Sequence, residues 1–264
     1  GSCRRSTPVA TVKMEPASVE LAHPFVAPLT FRWSPTAPLD GLAGKPRVFV
    51  HVLDGGRRLL RTFDHPLPEA WTPGRPQSYE IELYQSAIAD KLPPGAYEIT
   101  VGLYDDHGKT RWPLATDGEE VGRREYRLGS LVSPAADPPA PRFEFSGGWL
   151  PVEPGSSKQV VARRCLRGEG RISVLTAPSG GTVRVAASIL SAEGSSAGSV
   201  AGAWRISATC ARESLEVSGR EMQWVDFPVA AEAAAPSCEI RFTPPIDSPD
   251  PLCLEVLAWR PAAG

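Results

Sequence analysis

Apolar and polar positions alternate with a period of two along most of this chain. The sharpest case is the stretch 92–105, where Tyr97, Ile99, Val101 and Leu103 alternate with Glu98, Thr100, Gly102 and Tyr104. That period buries one face of a strand and wets the other. Pro93-Pro94-Gly95 precedes it, and a tyrosine two residues past such a turn marks a corner between the sheets of a β-sandwich, its hydroxyl bonding back to nearby backbone. The same pattern predicts strands over 10–16, 25–33, 47–53, 57–63, 78–84 and 123–128. Leu29, Phe31 and Trp33 are expected inside, and Asp54-Gly55-Gly56 and 105–108 are expected to be hairpin turns. The run 47–53 is apolar on both faces except at His51, as in a central strand covered on both sides.

Residues 129–142 are rich in Pro and Ala and read as a semi-rigid joint. Beyond it, strands are expected over 159–166, 171–175, 182–190, 204–210, 214–217, 222–229, 238–242 and 252–259, with a Gly/Ser loop at 191–201. The pattern predicts an all-β protein of two β-sandwich domains: a tether over 1–8, an immunoglobulin/fibronectin-like sandwich over 9–129, a Pro-rich linker over 130–142 and a jelly-roll-like sandwich over 143–264.

Composition sharpens this picture in three places. The 28 Pro and 24 Gly among 264 residues supply the turns that an all-β chain requires. The net charge of −2 is evenly dispersed and leaves no basic stripe, so no nucleic-acid partner is expected. Of the five cysteines, Cys165, Cys210, Cys238 and Cys253 fall in the second half without CxxC spacing, which predicts two disulfides in any of three pairings and an oxidising compartment. Cys3, after Gly1-Ser2 and before a polar tail, fits the lipid-bearing first residue of a mature bacterial lipoprotein, so a lipid on Cys3 is the expected link to a membrane.

One further stretch is informative as a string. VFVHVLD, a DGG turn, FDHPLP, W-T-P-G, then L-P-P-G-x-Y-x-x-x-V-G-L-Y-D and R-W-P-L resemble β-sandwich modules of bacterial envelope lipoproteins and of the extracytoplasmic part of membrane glycosyltransferases. The second half, from Phe145-Ser146-Gly147-Gly148-Trp149 onward, is more loosely similar to sugar-binding jelly-roll modules, with Leu150 and Cys165 standing where aromatics are usual. The resemblance implies a periplasmic or cell-surface location and no assigned catalytic activity.

No GxSxG, SxxK or Cys–His arrangement stands in a persuasive context, and no Gly-rich phosphate loop opens a helix. Asp105-Asp106 and Glu119-Glu120 read as solvated turn carboxylates, so neither a metal nor a cofactor is expected. Sugars stack on open indole faces, which makes Trp71, Trp112 and Trp149, all in turn-like settings, candidate ligand-binding residues. Their bland role is to plug the ends of a sandwich. His51 joins them as a histidine inside an apolar strand, its bland role a hydrogen-bonded core residue. The sequence therefore predicts a non-catalytic envelope protein that binds a glycan or a partner protein. A structural subunit of a larger envelope complex comes second, and a hydrolase with a loop-built site third.

Overall fold

The computed structural model describes residues 7–108, 110–175, 179–190, 202–212, 214–231, 238–246 and 250–262. Cys3 and the loop 191–201 lie outside them. Every regular element among the described residues is a strand, as the period of two requires.

The chain divides into two compact units. One comprises Gly1–Leu21, Ala27–Leu83 and Pro93–Ala135, the other Ala22–Val26, Tyr84–Leu92 and Ala136–Gly264. Two short segments from the first half thus belong to the second unit.

The first unit holds β1 (Ala10–Glu15), β2 (Ser18–Glu20), β3 (Val26–Pro35), β4 (Pro46–Leu53), β5 (Leu59–Thr62), β6 (His65–Pro66), β7 (Gln77–Tyr84), β8 (Gly95–Asp105), β9 (Arg111–Trp112), β10 (Leu114–Ala115), β11 (Glu120–Gly122) and β12 (Glu125–Ser133). One sheet runs β10-β1-β3-β7. The other runs β11-β12-β8-β4-β5, with β2 beside β12, β6 beside β4 and β9 beside β8. Leu29, Phe31 and Trp33 in the first sheet, and Val48, Val50, Val52, Ile99, Val101 and Leu103 in the second, are fully buried. Each such side chain contributes about 1.5–3 kcal/mol relative to an exposed one. At the expected corner the Tyr97 hydroxyl donates to Pro93 O at 2.6 Å.

Three local expectations change. At the Asp54 turn the residue with positive φ is Arg57 (62°), not a glycine, because the Asp54 carboxylate accepts the Gly56 and Arg58 N–H groups, each at 2.9 Å, and holds the loop. In β12, where the period of two places Leu128 inside, a register shift between Arg127 and Gly129 breaks the alternation, so Leu131 is fully buried and Leu128 only partly. The strand also continues to Ser133, into residues whose composition reads as a joint.

The second unit holds β13 (Arg142–Pro154), β14 (Ala162–Leu175), β15 (Gly181–Ile189), β16 (Trp204–Ala208), β17 (Leu215–Val217), β18 (Gln223–Val229), β19 (Cys238–Thr243) and β20 (Leu252–Pro261), ordered β17-β16-β19-β14-β20-β15-β18 with β13 on β14. The two strands expected over 159–166 and 171–175 are instead one long strand, β14, bent near Gly168. Along one edge β14 pairs with β13. Along the other its first half (Arg164–Leu166) pairs with β20 and its second (Gly170–Val174) with β19. Gly168, at φ 81°, sits at the changeover. Beyond it the edge of β20 is taken over by the two early segments: Trp259 N donates to Pro24 O at 2.8 Å and Ala87 N to Leu257 O at 2.7 Å. Phe25 and Ala22 enter the same hydrophobic core as Leu257 and Trp259. His23 secures them, its Nε2 lying 3.0 Å from Ser86 O, while Asp137 accepts the His23 N–H and pairs with Lys91 at 2.7 Å.

Candidate functional site

The two disulfides are Cys165–Cys253, linking facing residues of β14 and β20, and Cys210–Cys238. Adjacent strands therefore choose between the three pairings that the sequence leaves open. Their presence fits an oxidising, extracytoplasmic environment. No helix of the described residues is long and apolar enough to cross a membrane.

The second disulfide stands beside a cleft. After β16 the chain turns, with Ala211 N donating to Ala208 O at 3.2 Å, and Cys210 ties this turn to β19. The turn, Leu215 of β17 and the strand β18 enclose about 510 Å³, lined by Cys210, Ala211, Arg212, Ser214, Leu215 and residues 224–228. That volume lies within the range of about 300–1,000 Å³ common for ligand sites. Val225 and Phe227, buried in the core, supply apolar lining, and Leu215 is 39% exposed. β17 and β18 are the two ends of the strand order, so the cleft lies where the sheet fails to close.

The direction of the backbone groups of β18 follows from the ladder. Ala262 N donates to Gly180 O at 2.8 Å, in phase with the β15–β20 register in which Gly181 faces Pro261. Alternation along an antiparallel ladder then turns the amides of Thr182, Arg184 and Ala186 toward β20, and those of Gly181, Val183 and Val185 toward β18. Val229, Phe227 and Val225 face the latter group and make the β18 bonds. Trp224, Asp226 and Pro228 consequently direct their backbone groups to the edge of β18 that no other strand among the described residues covers, where proline's missing N–H costs the ladder nothing.

On the outer face of β18 the Arg184 guanidinium lies 4.5 Å from the centre of the Trp224 ring, and Tyr84 meets that ring edge-on at 5.3 Å. Asp226 pairs with Arg184 at 2.8 Å and with Arg260 at 3.2 Å. Burial pushes the Tyr84 hydroxyl above its ordinary range, and it donates to Gln159 O at 3.2 Å.

The sequence candidates lie elsewhere. Trp112 is 4% exposed and donates its indole N–H to Asp40 O at 3.1 Å, so it presents no open ring. Trp71 is half-buried, packs edge-on against Trp33 and donates to Ala37 O at 2.9 Å. Trp149, also half-buried, meets Phe145 and Phe242 edge-on and donates to Arg171 O at 3.1 Å. Each indole N–H is thus spent on the protein's own backbone.

His51 belongs to a polar cluster on the outer face of the larger sheet of the first unit. Its Nδ1 donates to Glu125 Oε1 at 3.0 Å, and Thr100 Oγ1 donates to the same oxygen at 2.6 Å. Burial alone would raise Glu125. The hydrogen bonds from His51 and Thr100, with the charges of His51 and Arg111, outweigh it and hold the carboxyl below its ordinary range. His51 stacks on Phe49 at 4.4 Å, and Arg111 caps that ring at 4.5 Å. Because both hydrogens converge on one carboxylate, the Thr100 hydroxyl is not aimed at the imidazole. The cluster clamps strands β4, β8 and β12 together.

Asp105, Asp106 and His107 bring their ligand atoms within 4.8 Å of one another. Asp105 is nevertheless buried, correcting the expectation of a solvated pair. Its carboxylate accepts the N–H groups of Ala43 at 2.7 Å, Gly44 at 2.9 Å and His107 at 3.2 Å, while Asp106 accepts that of Lys45 at 2.6 Å. These oxygens fasten the preceding loop.

No family model matches the chain, and no curated protein matches it. Among solved structures it is similar to a calcium-binding mutant of Bacteroides uniformis β-glucuronidase 2, at 11% identity over 98% of this chain and 31% of that one, with a TM-score of 0.29. It is similar also to tripeptidyl peptidase 2, at 12% identity over 96% of this chain and 20% of that one, with a TM-score of 0.27. The chain spans less than a third of the length of either.

Proposed function

We propose that this chain is a non-catalytic binding protein of the bacterial envelope, that its units are an immunoglobulin-like and a jelly-roll-like sandwich, and that its ligand is a partner protein. The observation that carries this reading is the cleft beside β18, which combines apolar lining, an open strand edge and the exposed Arg212. Protein interfaces are built around such a partly apolar centre with polar groups at its rim. A lectin-like site through Trp71, Trp112 and Trp149 is less well supported, since none of the three combines an open ring with a free N–H. Anchoring through a lipid on Cys3 completes the proposal and fits the oxidising compartment.

A photo-activated cross-linker placed at Leu215, and at Leu42 of the first unit as a control, tests it on bacterial envelope preparations. The expected result is one discrete protein adduct from Leu215, of the same identity across preparations, that is absent from Leu42. No adduct from Leu215, together with glycan-array binding that Trp71→Ala or Trp149→Ala abolishes, would replace the protein-partner reading with a lectin.

A further inference from the structure

Resting on that reading, we propose that the cleft receives an extended peptide by strand addition to β18, a segment with apolar residues at alternate positions and an acidic residue among the others. Three observations converge on this ligand.

The first is the phase of the ladder. The N–H and C=O of Trp224 and Asp226, and the C=O of Pro228, face the cleft and have no partner among the described residues. An added strand would use groups two residues apart, which is the repeat of an extended chain. Pro228 closes the row at one end and so limits the register.

The second is the pleat. In a strand laid beside β18, alternate side chains would point the way Val225 and Phe227 point, into the 510 Å³ lined also by Leu215, Ala211 and Cys210. The intervening side chains would lie beside Trp224 and Asp226 on the outer face. One row must therefore be apolar and the other polar.

The third is charge. Asp226 is already shared by two arginines, and Arg212 stands exposed on the rim without an ion-pair partner among the described residues. Arg212 thus offers the rim a positive charge that complements a carboxylate. The other edges of this unit lack the same combination. β13 is interrupted by Pro151 and Pro154 and by register shifts after Gly147 and Trp149, devices that discourage pairing, and β17 has three residues.

The test uses the full chain with its disulfides intact, labelled with ¹⁵N. It is titrated with a terminally blocked nonapeptide that alternates threonine and valine and carries aspartate at its centre. The amide resonances of Trp224 and Asp226 are expected to shift downfield and exchange more slowly, with those of Val225 and Phe227 little changed. In an antiparallel addition the outward-facing peptide residues lie opposite Trp224 and Asp226 and direct their N–H groups to β18. Replacing the threonine two residues from the aspartate by proline therefore removes one such N–H and is expected to weaken binding about tenfold, the equivalent of one hydrogen bond at an interface. Lysine in place of the aspartate weakens binding to the wild type, and Arg212→Glu reverses that preference. A peptide that leaves the β18 resonances unmoved overturns strand addition, while the partner-protein reading still stands on the adduct from Leu215. Shifts at Trp224 produced by an oligosaccharide of uronic acids, and not by the peptide, overturn both.

Discussion

The ring of Phe49 occupies the space that a side chain at position 102 would take: a Cβ on Gly102 would lie 2.2 Å from its Cζ and 2.6 Å from Arg124 O. The two residues face each other across β4 and β8, and the ring itself is held by the His51 imidazole stacked at 4.4 Å and the Arg111 guanidinium 4.5 Å from its centre. Gly102→Ala is therefore expected to destabilise the protein by about 1–3 kcal/mol, the usual cost of overpacking. The Phe49→Ala background should recover part of that loss, because the aromatic contact is gone while the Arg124 carbonyl remains. Urea unfolding of both singles and the double reads the coupling, and strict additivity would contradict the packing described.

The disulfides are expected to differ in what they contribute. Cys165–Cys253 joins residues 88 apart and Cys210–Cys238 residues 28 apart. Restriction of the unfolded chain alone corresponds to about 4.6 and about 3.6 kcal/mol respectively. Replacing the first pair by alanines should lower the melting temperature more than replacing the second. The second replacement should instead loosen the turn that walls the cleft and weaken peptide binding. Peptide mapping without reductant checks the pairings directly.

Stability should depend on pH in two opposite ways. The Ala43 N–H, above all, holds Asp105 below its ordinary range, and the Lys45 N–H does so for Asp106, in each case against the effect of burial. A carboxyl depressed in the folded state stabilises fully above the unfolded value of about 4, and that stabilisation is lost as pH falls through the lower folded value. Glu255 behaves conversely. Burial pushes it up, and the Ser188 hydroxyl and the charge of Arg163 offset only part of the rise. Its favourable contribution is present below the unfolded value and disappears as pH rises through the raised folded one. Asp105→Asn should thus flatten the loss of stability below about pH 4. Glu255→Gln should stabilise the protein at neutral pH, with a gain that shrinks toward about pH 4. Urea midpoints across that range test both, and parallel profiles for wild type and variants would refute the assignments.

Strands whose two faces differ were plain from the sequence. Leu29, Phe31 and Trp33 are buried as their alternation requires, and Tyr97 bonds back to Pro93 as the Pro-Pro-Gly corner implies. β13 is not legible in the sequence because Gly147, Gly148 and Pro151 interrupt its pattern, although it pairs with β14 along almost its whole length. The attachment of Pro24 and Ala87 to β20 runs through backbone atoms and leaves no mark in side-chain chemistry. The cleft was hidden for a related reason. Trp224 reads as an ordinary strand residue, and only the order of eight strands shows that β18 ends the sheet among the described residues. The tryptophans in turns stand out in the sequence instead, yet Trp112 and Trp71 use their indoles to fasten the loops around Asp40 and Ala37.

Residue-resolved amide hydrogen exchange of the free protein tests the central claim, that β18 offers an unpaired edge beside the cleft. Val225, Phe227 and Val229 are expected to exchange slowly, and Trp224, before them, and Asp226, among them, rapidly. Equal, slow exchange across all five positions would mean that the edge is already covered and would contradict the account.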